Sequence, residues 1–203
     1  MLISFDKLFE KYELKLTGIL HVGAHECEEL KDYEKYIDRN KILWIEGNPD
    51  LVIRNKNAYP DICIENAVVW NEITKLKFHI ANNGQSSSVL DFGLHEKYHN
   101  HVYYTNEIEV ETQILEDILK KYTSCVYNFL NFDIQGADLQ ALKGMESYLE
   151  NVNYIYIEVN TGYVYKNNGL LSEVDDYLAM FGFTRVETCL TEFEWGDAFY
   201  IKE

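Results

Sequence analysis

ILHVGAHECEEL, residues 19–30, opens as a buried strand and closes as the start of a helix. Ile19, Leu20 and Val22 form an apolar run that meets Gly23 and Ala24, with acidic residues beyond. Glycine at a strand end lets backbone approach another group closely, and a helix that follows aims its first N–H groups at whatever lies there. A dinucleotide-phosphate turn carries three glycines in the pattern G-x-G-x-x-G. Here His25 and Cys27 stand where further glycines would sit. The turn alone is compatible with a ligand or with a tight connection.

Working outward, strand and helix signals alternate. Leu30, Tyr33 and Ile37 recur at helical spacing and predict a helix through ECEELKDYEKYI. KILWIEG is a second short apolar run, and NPDLVIRNKNA follows with Asn48 as cap and Pro49 at the first helical position. DICIENAVV reads as a third strand. This order implies parallel pairing through right-handed crossovers. KLKFHIA and EIEVETQ alternate as edge or hairpin strands, around a polar, turn-rich stretch. ILEDILKKY places Leu115, Ile118, Leu119 and Tyr122 on one helical face. CVYNFLNFD is a buried strand, and ADLQALKGMESYL predicts a helix with Leu139, Leu142, Met145 and Leu149 on one stripe. VNYIYIEVN is another strand. SEVDDYLAMFG is a helix opened by Ser172 and Asp175 and closed near Gly182. FTRVETCL and DAFYIKE complete the chain as a hairpin. The expected fold is a Rossmann-like, doubly wound α/β sheet of about seven mostly parallel strands with an antiparallel C-terminal strand. One domain over residues 1–203 is expected, with an N-terminal helix at about 4–15 and a lid or acceptor loop at about 82–106.

The 203 residues suffice for a core without metal or disulfide staples, and 47% hydrophobic with 26% charged residues reads as globular. A net charge of −16 argues against nucleic acid and anionic membranes as partners. Cys27, Cys63, Cys125 and Cys189 show no zinc or disulfide spacing. With no signal peptide and no bilayer-length apolar run, a reducing, cytoplasmic setting is expected.

Chemistry-bearing residues cluster at strand ends, where doubly wound folds bind ligands. Glu46 ends the second strand about 20 residues after the glycine turn, the place of a carboxylate that holds ribose hydroxyls. With the turn and the strand order, it favours a ribose-bearing cofactor. The missing glycines disfavour NAD and suit S-adenosylmethionine, which has a ribose and no phosphate. Asp133 stands where such folds keep a reactive group, though aspartate also caps helices. Glu158 is a carboxylate among apolar neighbours, costly unless paired, with Asn160 on the same side. The middle loop brings GQSSS together with His95, His99 and His101. His95 and His99 share helical spacing, but no third zinc ligand accompanies them.

At these positions the sequence resembles the FkbM family of S-adenosylmethionine-dependent methyltransferases. The resemblance is carried by HVGAHECEE, WIEGNPD, GQSSSVL, FDIQGADLQALKGME, YIEVN and WGDAFYIK, in that order, from about Gly18 to Lys202. It implies a class I methyltransferase fold and a cofactor cradle of His21, Gly23, Ala24, His25, Glu46, Gly47, Asn48, Ala67, Val68, Ser86, Ser87, Asp133, Ile134 and Gln135. It implies O-methylation of a sugar or glycan hydroxyl, with Asp133 nearest the reacting methyl as base or metal ligand, and Glu158 and His95 in support. It leaves room for a divalent metal, and for this chain as one domain of a larger glycan-processing enzyme. Trp195 and Asp197 shape the acceptor pocket or anchor the last strand. Two departures stand out. His21 replaces a usual acidic residue, and Asn131 and Gln135 replace the lysine and glutamate of a Lys-x-Asp-x-Glu-Gly motif. Two alternatives stay open: a lipid, peptide or other small-molecule acceptor, and, kept alive by the neutral Asn131 and Gln135, a non-catalytic module that binds a nucleoside or a protein.

Overall fold

The computed structural model describes residues 1–202; Glu203, the last residue of the stretch read as the final strand, lies outside the described residues. Helix α1 (Phe5–Tyr12) precedes strand β1 (Ile19–Val22), then α2 (Leu30–Tyr33) leads to β2 (Ile42–Glu46), and α3 (Pro49–Ala58) to β3 (Cys63–Asn66). Strands β4 (Lys75–Ala81) and β5 (Tyr104–Glu111) enclose the short helix α4 (His95–Tyr98). Then come α5 (Leu115–Leu119), β6 (Phe129–Phe132), α6 (Asp138–Lys143), β7 (Tyr154–Asn160), α7 (Leu171–Ala179), β8 (Phe183–Leu190) and β9 (Trp195–Lys202).

Seven strands form one sheet in the order β3-β2-β1-β6-β7-β9-β8. The pairs among β3, β2, β1, β6 and β7 are parallel, and β9 runs antiparallel between β7 and β8. This is the Rossmann-like architecture expected. Strands β1, β2 and β6 are buried along their whole length, because helices cover both faces. Alternate residues feed two cores. Leu20, Val22, Leu130 and Phe132 pack with α5, α6 and α7 through Ile118, Leu142 and Leu178. Ile19, Trp44 and Phe129 pack with α1 and α2 through Leu8 and Tyr33.

Several elements differ from their sequence reading. The helix expected through residues 26–37 shrinks to the single turn Leu30–Tyr33, because His25 (φ 42°) and Cys27 (φ 57°) hold left-handed backbone ahead of it. The stripe Leu139, Leu142, Met145 and Leu149 is buried, but α6 ends at Lys143 and a 3₁₀ segment, Glu146–Asn151, carries Leu149. The box at α7 is closed by Glu173, which accepts the Leu170 N–H at 2.8 Å, and not by Ser172 and Asp175. Asp175 instead accepts from Arg185 at 2.9 Å and from the Tyr200 hydroxyl at 2.8 Å. Helix α1 is shorter than expected and stops at Glu13, whose φ is 49°. Of the edge and hairpin readings for β4 and β5 the second holds: they pair antiparallel in a separate two-stranded ribbon. The loop between them is docked: Phe92 and Val102 pack with Val164 and Tyr165, and Gly93 N–H donates to the Val164 carbonyl at 2.9 Å.

Candidate functional site

The strand order reverses between β1 and β6, and there the two connections that leave the sheet diverge. A narrow cleft of about 50 Å³ opens beside β1 and β2. A larger cavity of about 500 Å³ opens toward β7 and β9. Both are lined by Gly23, His25, Gln85 and Asp133, so they meet at the switch point.

Gly23 has φ 95°, and a Cβ placed on it would lie 1.8 Å from the Asp133 carbonyl oxygen. Glycine is therefore demanded by the crossing of the β1 and β6 connections. Its N–H and that of Ala24 both donate to the Ile45 carbonyl, at 2.9 and 3.0 Å. The chain then turns through His25, whose N–H donates to Glu46 Oε2 at 2.8 Å. The Asn48 N–H donates to Glu46 Oε1 at 2.7 Å. Burial pushes the Glu46 carboxyl up, and those two N–H groups pull against the shift. His25 Nδ1 pairs with Glu28 Oε1 at 2.6 Å, and the imidazole is raised although burial opposes it.

Across the cleft, Gln135 organises the β6–α6 connection from a left-handed position (φ 58°). Its amide nitrogen donates to Asp133 Oδ1 at 2.6 Å and to Glu158 Oε2 at 2.7 Å. Tyr165 donates its hydroxyl to the Gln135 amide oxygen at 2.6 Å, and Ser88 donates to the Gln135 backbone carbonyl at 2.8 Å. Asp133 is exposed at the junction of the two cavities, whereas Glu158 is only 7% exposed. Burial first, then the Asp133 and Asp138 carboxyls, hold the Glu158 carboxyl well above the usual range, and a hydrogen bond links its side chain to that of Asp133. Asp138 accepts the Ile134 N–H at 3.0 Å and the Gly136 N–H at 3.1 Å, yet burial pushes it to about 7.

His21 and Asn131 are register partners on β1 and β6, so the two departures from the family pattern face each other. Asn131 Nδ2 lies 3.3 Å from His21 Nδ1 and donates to the Tyr33 hydroxyl at 2.7 Å; that hydroxyl is 3.1 Å from His21 Nδ1. His21 also stacks on Trp44, with ring centroids 4.6 Å apart. Burial lowers the imidazole to about 4, so it is neutral. A neutral trio occupies a position that a charged pair would otherwise share.

The other sequence candidates divide between the two spaces. Gly47, Ala67, Val68, Ser87 and Ile134 line the cleft with Glu46, while His21, Ser86, Gln135, Glu158 and His95 line the cavity. Ala24 and Asn48 line neither. Ala24 packs in the core under α1 and α2, and Asn48 caps α3 by accepting the Asp50 N–H at 3.0 Å. The serines chiefly stitch their own loop: Ser87 donates to the Gly84 carbonyl at 2.7 Å and accepts the Ala81 N–H at 3.1 Å. His95 stacks on Phe92 at 4.2 Å and, lowered to about 4 by burial and then by His99 and His101, is neutral. Asp197 and Trp195 line the cavity. Among the described residues, no three His, Cys, Asp or Glu side chains are grouped to hold a metal ion.

Sequence reasoning missed Phe78, which walls the cleft, and Tyr165, which fixes Gln135. Phe78 is the buried position of an alternating strand, and that alternation was its only local signal. Tyr165 is one of sixteen tyrosines, and nothing nearby marks it.

The cleft carries Glu46 and Asp133 but no Lys or Arg, a lining that disfavours a pyrophosphate. Apolar Val68, Phe78 and Ile134 stand beside the Glu46 carboxylate, a surface for a flat heterocycle next to a hydroxyl-binding group. A model of the methyltransferase FkbM domain matches residues 21–185. None of the curated proteins matches the chain in sequence. Solved structures match in fold. Magnesium protoporphyrin IX methyltransferase from Synechocystis PCC 6803, with bound SAM, superposes with TM-score 0.54 at 7% identity, over 98% of this chain and 76% of that one. Ribosomal protein L11 methylase from Lactobacillus delbrueckii subsp. bulgaricus gives 0.51 at 8% identity, over 96% and 75%. M. capricolum TrmK, in complex with S-adenosylhomocysteine, gives 0.50 at 8% identity, over 100% and 69%.

Proposed function

The chain belongs to the FkbM family of methyltransferases, and on that premise we propose that it methylates a hydroxyl of a sugar or glycan. The observation that carries this reading is the Asp133–Gln135–Glu158 cluster, which stands between the cleft and the larger cavity. The cleft residues fit S-adenosylmethionine. Glu46 would accept from the ribose hydroxyls, and Val68, Phe78 and Ile134 would flank the adenine. When bound, this cofactor supplies a methyl group on a positively charged sulfur. No strong nucleophile on the protein is then needed, and the chain's task is to position the acceptor and exclude water.

A sugar hydroxyl is a weak acid and needs a proton acceptor as its oxygen is alkylated. Asp133 is assigned that role, since it alone of the cluster is exposed at the junction of the two cavities. The Gln135 amide holds its Oδ1, and the Glu158 carboxyl hydrogen-bonds its side chain. The cavity walls suit a polyol. Carboxylates and amides accept and donate to hydroxyls, and Trp195 offers aromatic surface to the C–H face of a ring.

The test is S-adenosylhomocysteine formation over a panel of monosaccharides, oligosaccharides, peptides and lipids, with the methylated atom located by mass spectrometry. The expected product is an alkali-stable methyl ether on a saccharide. A methyl found only on nitrogen or on a carboxyl ester would overturn the reading. Asp133→Asn is expected to lower turnover about 10²- to 10⁴-fold, with S-adenosylhomocysteine affinity little changed.

A further inference from the structure

The larger cavity is predominantly acidic, with the Met1 amino group and His25 as the basic groups that line it beside His21 and three further histidines. Five carboxylates line it (Glu28, Glu29, Asp133, Glu158 and Asp197), and no Lys or Arg side chain does. Glu28 is answered by His25, and Glu29 lies 3.6 Å from the amino group of Met1. The other three make no ion pair within 4 Å among the described residues, and the Met1 amino group acts on Asp197 and Asp133 only at longer range. Glu158 and Asp197 are register partners on antiparallel β7 and β9, at 7% and 6% exposure. Like charges directly opposite on a sheet destabilise it, and a buried carboxylate without a cation is costly. Their hydrogen-bond donors are neutral: the Gln135 amide for Glu158, and the Tyr156 hydroxyl and Leu2 N–H for Asp197. Burial, and their mutual repulsion with Asp133, raise both carboxyls.

A second observation points to a ligand in the same space. His95, 5% exposed, lines this cavity, and its Nδ1 is buried without a hydrogen-bond partner. A ring nitrogen left unpaired at that burial is uncommon and costly. Neutral, as its neighbour His99 also is inclined to be, it adds no positive charge to oppose a cation.

Resting on the reading of this cavity as the acceptor site, we propose that the acceptor carries a positive charge: an amino sugar or aminated glycan, its ammonium seated among Asp133, Glu158 and Asp197. Phosphorylated and carboxylated saccharides are rejected by the same carboxylates. The charge of the whole chain, −16, favours approach of a cation to the cavity.

The experiment is calorimetry with S-adenosylhomocysteine present, using the glucosamine disaccharide, its fully N-acetylated counterpart and glucose 6-phosphate. The free-amine disaccharide is expected to bind at least about tenfold more tightly than the acetylated one, with glucose 6-phosphate weakest. Asp197→Asn is expected to cut the amine preference to below about threefold, with S-adenosylhomocysteine affinity retained. Should that variant fail to bind S-adenosylhomocysteine, the wild-type ranking of the three probes decides alone. Equal affinity for the amine and the amide, no binding of the amine, or preference for the phosphate overturns the inference. A methyl ether formed on the acetylated probe without amine preference removes this inference and leaves the O-methylation reading standing. A methyl found on the amine nitrogen removes the O-methylation reading and leaves the charge preference.

Discussion

Gly23 shows how one residue can be legible for one reason and required for another. The sequence leaves it as a ligand turn or a tight connection, with the family resemblance placing it at the cofactor, and the structure shows the Asp133 carbonyl where its Cβ would be, at 1.8 Å. Gly23→Ala is therefore expected to cost about 3 kcal/mol or more and to lower Tm by roughly 6 °C or more, whether or not cofactor is present; a thermal melt of the apo protein checks it. Asp138 gives the pH prediction. Its carboxyl is held near 7 by burial, so the native state keeps a proton that the unfolded chain has released by about pH 5. The native state binds more protons, so stability from this group is full at low pH and is lost as pH rises through about 7. Denaturant melts at pH 5 and 8 should show wild type losing roughly 2 to 3 kcal/mol relative to Asp138→Asn. A parallel pH dependence in both proteins would remove Asp138 as the source.

Among the elements, the connections carry more chemistry than the helices. The β1–α2 connection spends its first residues on left-handed backbone at His25 and Cys27, and so delivers the His25 N–H to Glu46. The β6–α6 connection does the same with Gln135 and Gly136, and so delivers the Gln135 amide to two carboxylates. Positive φ at non-glycine residues is uncommon and gathers at functional turns. Helical periodicity reads side-chain spacing and cannot register such backbone, which is why residues 26–37 read as one helix. Helix α3 was legible, because Asn48-Pro49 is a local start signal that later packing left intact. Asn48→Ala removes the acceptor for the Asp50 N–H and should cost about 1 kcal/mol, seen as a Tm lower by roughly 2 to 4 °C. Cofactor affinity should hold, because Asn48 lines neither the cleft nor the large cavity.

At the scale of the molecule, sheet order and net charge do separate work. The reversal between β1 and β6 gathers Gly23, Glu46 and Asp133, far apart in sequence, around one crevice. The excess of 34 acidic over 18 basic residues leaves the folded chain repelling itself. Raising NaCl from 20 to 200 mM shortens the Debye length to under about 10 Å, and Tm is expected to rise by a few degrees. A Tm that falls or stays flat would mean that the surface ion pairs, such as Lys35 with Asp6 and Asp32, outweigh the general repulsion. No helix among the described residues is long and apolar enough to cross a membrane.

The sequence by itself determined the strand–helix order, the buried central strands and the family. These rest on hydrophobic patterning and on local signals, a glycine at a strand end or a cap before a proline, which act over a few residues. It also marked Glu46, Asp133 and Glu158, because a carboxylate at the end of an apolar strand stands out against its neighbours. Only the tertiary structure decided what those carboxylates face. That Asn131 meets His21 and that Glu158 sits beside Asp197 are facts of strand register, and that Gln135 bridges Asp133 and Glu158 follows from where the β6–α6 connection leaves the sheet. These meetings join residues 110, 23 and 39 positions apart, beyond the reach of any local pattern. The charge of the larger cavity is a property of that assembly.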